Sequence, residues 1–216
     1  MALRDVAHLV LTGGSMGTRT VAALAAAELS TSTWSKVHVW WGDERFVPES
    51  HPDRNDQHAR DAGLDALPVP GANIHPAPAG STEEELPAAA ATWARELAMH
   101  APEGEQTPRF DVVLLGMGPD AHVASLFPDR AELTVTDQST VAVTDSPKPP
   151  ALRLSLTVSA LCAAERVWLV VAGEDKAEAV VAARAAQDDP ALPASWVHGT
   201  RQTIWWLDEA AAQGVT

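Results

Sequence analysis

The chain has 216 residues, a hydrophobic content of 46% and a formal net charge of −14, which predicts one sizeable core and a single domain over 1–216. It contains no run of about 18 apolar residues, so we expect no membrane span. An acidic surface repels nucleic acid and anionic lipid, and an anionic metabolite would need a local cluster of positive groups. One cysteine, Cys162, and a start without the features of a signal peptide predict a cytoplasmic location.

The first predicted unit is a strand at 8–12, a turn of Gly13, Gly14 and Ser15, and an Ala-rich helix at 16–29. Glycines let the backbone approach an anion, and a helix N-terminus supplies free N–H groups and a favourable dipole. The pattern is neither a Walker A motif nor a dinucleotide fingerprint. It predicts either a phosphate-binding turn or an ordinary tight turn in which Ser15 is the N-cap of the helix.

The second predicted strand, at 36–41, is followed by three charged residues, Asp43, Glu44 and Arg45. Charges at the carboxyl end of an apolar strand are costly to bury unless they pair or bind a ligand. Arg45 has the planar fork that suits carboxylate or phosphate oxygens. An internal ion pair and a substrate contact both fit this segment.

A polar loop follows, in which His51 and Asp53, with the nearby His58, resemble metal ligands at first sight. Their spacing matches no standard metal site, so we expect solvated residues and no metal. Helices are predicted at 56–67 and, after a proline-rich connector, at 82–99, where a capping box stands at the start.

The segment at 110–128, FDVVLLGMGPDAHVASLFP, has the most distinctive pattern. A buried strand at 110–115 precedes a glycine-rich turn at 116–120 and a short predicted helix at 122–127 that begins with His122. Ligands of open α/β sheets bind at the carboxyl ends of the strands. A histidine in this position can accept a proton at neutral pH and activate water, or it can be an ordinary loop residue.

The last third of the chain alternates strands and helices. A helix that ends near 187 begins close to Lys176, where the helix dipole favours anions, so either a bound anion or a surface position accounts for this lysine. The alternation predicts a Rossmann-like, doubly wound and mainly parallel α/β sheet flanked by helices. The other predicted elements are strands at 139–144, 153–156, 166–172 and 203–206, and helices at 158–163 and 208–213.

Three cations, Arg45, Arg153 and Lys176, and the glycine turn all lie close to predicted strand ends or loops. They form the local positive cluster that a phosphate site on an acidic protein requires. This set favours a catalytic role for His122. Because the chain shows no serine nucleophile elbow, direct attack by water is favoured over a covalent intermediate.

These segments resemble the 6-phosphogluconolactonases of the pentose phosphate pathway. The resemblance implies hydrolysis of 6-phospho-D-glucono-1,5-lactone to 6-phosphogluconate, and a fold like those of glucosamine-6-phosphate deaminase and ribose-5-phosphate isomerase. The most specific matches are GDERFVP at 42–48 and GMGPDAHVASLFP at 116–128, and they occur in family order over nearly the whole chain. Further matches are LTGGS at 11–15 and the segments 53–60, 149–157 and 173–177.

The resemblance also implies roles for individual residues. His122 is the base that deprotonates water, and Asp43 and Arg45 line the substrate as the other catalytic residues. A small phosphosugar lactone is the implied partner, with no metal, organic cofactor, nucleic acid or membrane, and the protein is expected to be a monomer or weak homo-oligomer. The implied substrate or phosphate contacts are Gly13, Gly14, Ser15, Asn55, Arg60, Gly118, Asp120, Arg153 and Lys176.

Two features depart from the family pattern. Ala121 replaces the usual glycine and Val123 a frequent threonine. If position 121 is left-handed, alanine costs roughly 1–2 kcal/mol and tilts His122, whereas at negative φ the change is almost silent. The family also has a strand and a helix before the glycine turn, and we expect this chain to lack them.

Two other functions remain open. An amino-sugar phosphate deaminase-isomerase on the same scaffold tends to have tyrosine after the Asp-Glu pair and asparagine in the histidine loop, where this chain has Arg45 and SLFP at 125–128. A catalytically impaired sugar-phosphate sensor would be expected to carry a DNA-binding helix pair, for which we find no spare segment. Because Ala121 departs from the family glycine, the catalytically impaired sensor stays an alternative function.

Overall fold

The computed structural model describes residues 6–27 and 30–215. Within these residues, five strands form a parallel sheet in the order β2-β1-β4-β7-β8, and three form a small antiparallel sheet in the order β3-β6-β5. The strands are β1 (Ala7–Leu11), β2 (Val37–Trp41), β3 (Asp43–Arg45), β4 (Val112–Leu115), β5 (Thr140–Val143), β6 (Arg153–Leu156), β7 (Arg166–Val171) and β8 (Gln202–Leu207).

Helices connect the parallel strands and cover the sheet, so the predicted Rossmann-like, mainly parallel α/β architecture is confirmed. None of the helices among the described residues combines the length and apolar character that a bilayer crossing demands. The helices are α1 (Gly14–Ala26), α2 (Thr31–Trp34), α3 (Asn55–Asp61), α4 (Leu86–Met99), α5 (Val158–Cys162) and α6 (Ala177–Ala185), with 3₁₀ turns at Leu64–Ala66, Gly71–Asn73, Ala131–Thr134, Glu174–Lys176 and Pro193–Ser195.

The parallel sheet is buried on both faces, which explains its continuous apolar strands. Successive side chains of a strand point to opposite faces. Trp40 therefore packs into the core on one face and Trp41 into the core on the other, and both are fully buried. Leu115 and Leu114 divide in the same way on β4.

Two predicted helices are absent. The segment 122–127 is a loop, with φ angles of 60° at Ala121 and 50° at Ala124 that no right-handed helix accommodates. A bridge between Val123 and Leu126 closes this loop. Residues 208–213 form hydrogen-bonded turns in place of the predicted terminal helix.

Three other predicted helices are shorter than expected. The helix predicted at 56–67 stops at Asp61, because Gly63 takes a φ of 111° before the next 3₁₀ turn. The helix predicted at 82–99 begins at Leu86 without a Ser or Thr cap. The helix predicted at 16–29 ends at Ala26, and residues 28 and 29 lie outside the described part of the chain.

The small antiparallel sheet was not predicted. The charged segment 43–45 forms β3, in which Asp43 pairs with Ser155 and Arg45 pairs with Arg153. Because residues i and i+2 of a strand share a face, Asp43 and Arg45 point the same way and Glu44 points to the opposite side.

A buried carboxylate fixes β3 to the start of α3. Glu44 is fully buried, and its oxygens accept N–H bonds from Arg45 at 2.8 Å, Asn55 at 2.6 Å and Asp56 at 3.0 Å. The guanidinium of Arg54 lies 3.6 Å from the same group. Burial raises the pKa of Glu44 to about 7, while Arg54 and the three N–H groups act in the opposite direction.

We expect Glu44→Gln to lower the free energy of unfolding by about 3–5 kcal/mol, because the amide puts a donor where three N–H groups converge and leaves the buried Arg54 with Asp56 as its remaining anion. Urea unfolding measures this difference. The matched control is Glu105→Gln, which removes an exposed pair with Arg109 and should change the stability by less than about 1 kcal/mol. Equal losses in both variants would contradict the structural role of Glu44.

Candidate active site

A cleft of about 400 Å³ opens at the carboxyl ends of the parallel strands. This is the place where open α/β sheets bind ligands. The structure brings most of the sequence-predicted site residues together on its walls. These residues are Gly13, Gly14, Ser15, Asp43, Arg45, Asn55, Gly118, His122, Arg153 and Lys176.

Two predicted site residues do not line the cleft. The guanidinium of Arg60 pairs with Asp65 at 2.7 Å on the outside of α3, so the cleft gives no support to a substrate contact by this residue. Asp120 lies behind His122 and contacts it directly. Its position suits a group that orients the histidine better than one that binds substrate.

His122 and Asp120 form a close histidine–carboxylate pair. Nδ1 of His122 lies 2.5 Å from Oδ1 of Asp120. Because an ionised carboxylate only accepts hydrogen bonds, Nδ1 carries the proton and Nε2 keeps the lone pair that can accept one. Partial burial alone would raise the pKa of Asp120, but the hydrogen bond and charge of His122, with the charge of Lys148, hold it well below its usual range.

The loop around His122 is held by its own backbone. Gly118 donates its N–H to the carbonyl of His122 at 3.0 Å, and a side chain at position 118 would clash with the imidazole. The N–H of Ala194 binds the carbonyl of Ala121 at 2.9 Å. The φ of 60° at Ala121 shows that the position is left-handed, so alanine carries the backbone cost while the bond from His122 to Asp120 is formed.

Asp43 connects two walls of the cleft. Its Oδ2 accepts a bond from the hydroxyl of Ser125 at 2.6 Å, in the histidine loop. The amide of Asn55, at the start of α3, donates to the carbonyl of Asp43 at 2.9 Å. These bonds fix a buried carboxylate at the base of the cleft.

Two cleft residues have buried polar atoms without a hydrogen-bond partner among the described residues, Nε of Arg45 and Oδ1 of Asn55. Arg45 also donates from Nη1 to the carbonyl of Asp53 at 2.6 Å, which holds the side chain in place. Buried polar groups are normally paired, so such atoms in a cleft mark positions where a ligand can supply the partner.

Arg153 uses most of its donors within the protein. Its guanidinium donates to the carbonyls of Lys148 at 3.0 Å, Pro149 at 3.2 Å and Pro150 at 3.1 Å. Burial lowers the pKa of Arg153, against the effect of Asp43. Arg153 lines the cleft, but these contacts show that it also holds the loop that carries Lys148.

The sequence analysis did not assign Lys148, Ser125 or Thr12 to the site. Nζ of Lys148 lies 3.4 Å from Asp120 and 3.2 Å from Nδ1 of His122. Thr12 accepts the N–H of Gly116 at 3.0 Å and so connects the two glycine turns. The available signal for Lys148 was its place between prolines in SPKPP, a segment stiff enough to hold a side chain.

The start of α1 forms another wall of the cleft. Gly13 is the N-cap, and no side chain caps the helix, so Ser15 does not act as the predicted cap. Uncapped N–H groups and the helix dipole favour an anion here. Lys176, at the end of β7, adds a positive charge, although its Nζ also lies 3.3 Å from Asp175.

The cleft combines a histidine–carboxylate pair with an uncapped helix start that favours anions, a combination suited to an α/β protein that acts on a phosphorylated ligand. The chain belongs to the glucosamine-6-phosphate isomerase/6-phosphogluconolactonase family, whose model matches residues 1–206.

Several similar proteins are named 6-phosphogluconolactonase. The 6-phosphogluconolactonase of Streptomyces coelicolor is 45% identical, covering 98% of this chain and 83% of that protein. The 6-phosphogluconolactonase of Mycobacterium leprae is 44% identical, covering 98% and 86%. The solved structure of the Thermotoga maritima 6-phosphogluconolactonase superposes with a TM-score of 0.80 at 28% identity, covering 94% of this chain and 86% of that one.

We expect Ala121→Gly to change the free energy of unfolding by less than about 1 kcal/mol. Relief of a left-handed backbone, about 1–2 kcal/mol, is offset by the loss of a buried methyl group and by the greater freedom of unfolded glycine. The control is Ala90→Gly in α4, also buried but helical, which should cost about 2 kcal/mol in urea unfolding. Equal destabilisation in both variants would contradict the left-handed strain.

Proposed function

We propose that the protein hydrolyses 6-phospho-D-glucono-1,5-lactone to 6-phospho-D-gluconate in the pentose phosphate pathway, with His122 as the general base. The relatives named 6-phosphogluconolactonase support the activity. The observation that carries the mechanism is the 2.5 Å contact between His122 and Asp120 on the wall of the cleft.

Because Nδ1 of His122 donates to Asp120, Nε2 is the atom that can accept a proton. Nε2 of His122 takes a proton from water, and the water oxygen attacks the lactone carbonyl carbon. The bond from this carbon to the ring oxygen then breaks, and the imidazolium returns the proton to the departing oxygen. Asp120 stabilises the imidazolium while it exists, and general base catalysis of this kind contributes about 10²–10⁴-fold.

A negative oxygen develops on the lactone carbonyl during attack. The ammonium of Lys148 contacts both members of the histidine–carboxylate pair, and it lines the cleft. Its charge is suited to stabilise this oxygen, a contribution of about 10²–10³-fold for a well-placed donor. We assign Arg153 to hold the Lys148 loop and Asp43 to fix the base of the cleft.

The phosphate group binds where the start of α1 and Lys176 line the cleft. The first N–H groups of α1, around Gly14 and Ser15, and the ammonium of Lys176 are the groups that recognise it. The unpaired Nε of Arg45 offers a further donor. On a chain with a net charge of −14, these few groups determine where an anionic substrate binds.

The sensor alternative depended on the effect of alanine at position 121. The contact between His122 and Asp120 exists with Ala121 in place, which favours an active enzyme. Acid release from fresh lactone, compared with the spontaneous rate, tests activity directly. Ammonia release from glucosamine 6-phosphate would favour the deaminase alternative instead. The cytoplasmic location and the monomeric or weakly associated state stay predictions.

We expect His122→Ala to lower kcat by about 10²–10⁴-fold, because the general base is lost, while binding of the product 6-phosphogluconate survives. Acid release measures turnover and calorimetry measures binding. His198→Ala, at an exposed histidine, is the control and should keep full activity. A fully active His122→Ala enzyme would remove this histidine from the mechanism.

We expect Lys176→Met to raise KM for the phosphorylated lactone, because in the proposed complex the ammonium binds the phosphate and no other part of the substrate. The slower hydrolysis of unphosphorylated glucono-1,5-lactone should therefore stay unchanged. Arg95→Met removes one positive charge from the exposed side of α4 and should leave both substrates unaffected. Equal effects of Lys176→Met on the two substrates would place the lysine outside the phosphate site.

A further inference from the structure

A second cluster of titratable side chains lies away from the cleft. His38 on β2, His75 after the 3₁₀ turn Gly71–Asn73, and His100 at the C-cap of α4 meet at one point. Their potential ligand nitrogens all lie within 4.8 Å of one another. Three separate parts of the chain therefore direct imidazoles into a common space.

The cluster is distinct from the lactone site. His38 pairs with His8 in the register of β1 and β2, near the beginning of both strands. The cleft begins after β1, at Thr12. Four residues of strand separate these levels, which corresponds to about 13 Å.

The nitrogen positions are close to those of a metal site. Nδ1 of His38 lies 2.9 Å from Nε2 of His75. Tetrahedral zinc, with bonds of about 2.0–2.1 Å, separates two nitrogens by about 3.3 Å. His38 and His100 are partly exposed, whereas His75 is buried, so adjustment to a shared ion would fall on the first two rings.

A carboxylate orients the buried ligand. Nδ1 of His75 lies 3.0 Å from Oε1 of Glu96 on α4. The carboxylate accepts a proton from this nitrogen, so Nε2 is left with its lone pair directed at the other imidazoles. Carboxylate–histidine–metal arrangements of this kind fix ring orientation in zinc sites. Trp40 stacks on His75 at 3.9 Å and holds the plane of the ring.

The environment of His38 and His100 favours the neutral imidazole, the form that binds a metal. Burial lowers the pKa of His38, and the nearby His75 and His100 lower it further. Burial and His75 also lower the pKa of His100, although Glu96 opposes them.

We propose that His38, His75 and His100 bind one Zn²⁺ ion, with water in the fourth position and Glu96 as the orienting carboxylate. Three imidazoles and an open position are an established zinc arrangement. The ion would join β2, the segment after Gly71–Asn73 and the end of α4, so it would stabilise the folded chain.

The spacing of these histidines in the sequence does not indicate a metal site. The ligands are separated by 37 and 25 residues, unlike the short spacings of standard zinc motifs. The imidazole of His51, which was considered earlier, instead accepts the N–H of Asp53 at 3.2 Å and lies 3.8 Å from its carboxylate, within the same loop. The packing of α4 brings His100 to the other two histidines, and residue spacing along the chain does not reveal this proximity.

The test uses the full chain, stripped of metal by chelation and dialysed. Titration with ZnCl₂ in calorimetry should show one ion per chain, and bound zinc should raise Tm. Glu96→Gln should weaken zinc binding by about 10–100-fold, and His100→Ala should weaken it further. His198→Ala and His51→Ala are controls at histidines outside the cluster and should bind zinc like the parent chain.

The proposal is overturned if the parent chain binds no zinc at equimolar concentration, or if His100→Ala binds as tightly as the parent. It is also overturned if His198→Ala or His51→Ala loses the same affinity, which would indicate surface binding. Circular dichroism confirms that each variant is folded, and Glu96→Gln leaves all three ligands in place if His100→Ala is unstable. Acid release is assayed separately, so a failure here is independent of the lactonase proposal.

Discussion

The arrangement of the cleft depends on the burial of one carboxylate, that of Glu44. Its bonds to the N–H groups at the start of α3 join that helix to β3. Because side chains alternate along a strand, Glu44 points into the body while Asp43 and Arg45 face the cleft. The same attachment places Asn55 against Asp43. A segment that would be costly to bury alone becomes the rigid support of one cleft wall.

The sequence predicted the parallel sheet well, because buried strands such as β4 leave an apolar pattern that polar surfaces do not imitate. It did not predict β3, whose three charged residues are stabilised by partners distant in sequence. The loop at 122–127 looked helical because its apolar residues have helical spacing. Its left-handed turn at Ala121 is instead imposed by tertiary contacts such as the bond from Ala194.

The sequence also identified most cleft residues but not how their donors are used. It counted Arg153 and Lys176 as cations for phosphate, yet the donors of Arg153 are largely bound to the carbonyls of residues 148–150. The sequence analysis did not assign Lys148 to the site, although the loop of residues 148–150 brings its ammonium close to His122. The sequence shows which side chains are positively charged. Whether their hydrogen-bond donors are free to bind a substrate depends on the neighbours that the fold brings to them.

The stacking of Trp40 on His75 has an optical consequence. The two rings lie face to face with centroids 3.9 Å apart, so a change at His75 should alter the emission of this indole. Trp40 is fully buried, whereas Trp206 is 51% exposed, so the two indoles should emit at different wavelengths. The blue part of the intrinsic fluorescence spectrum, which Trp40 shares with the buried Trp34, Trp41 and Trp93, therefore responds to this contact without any added dye.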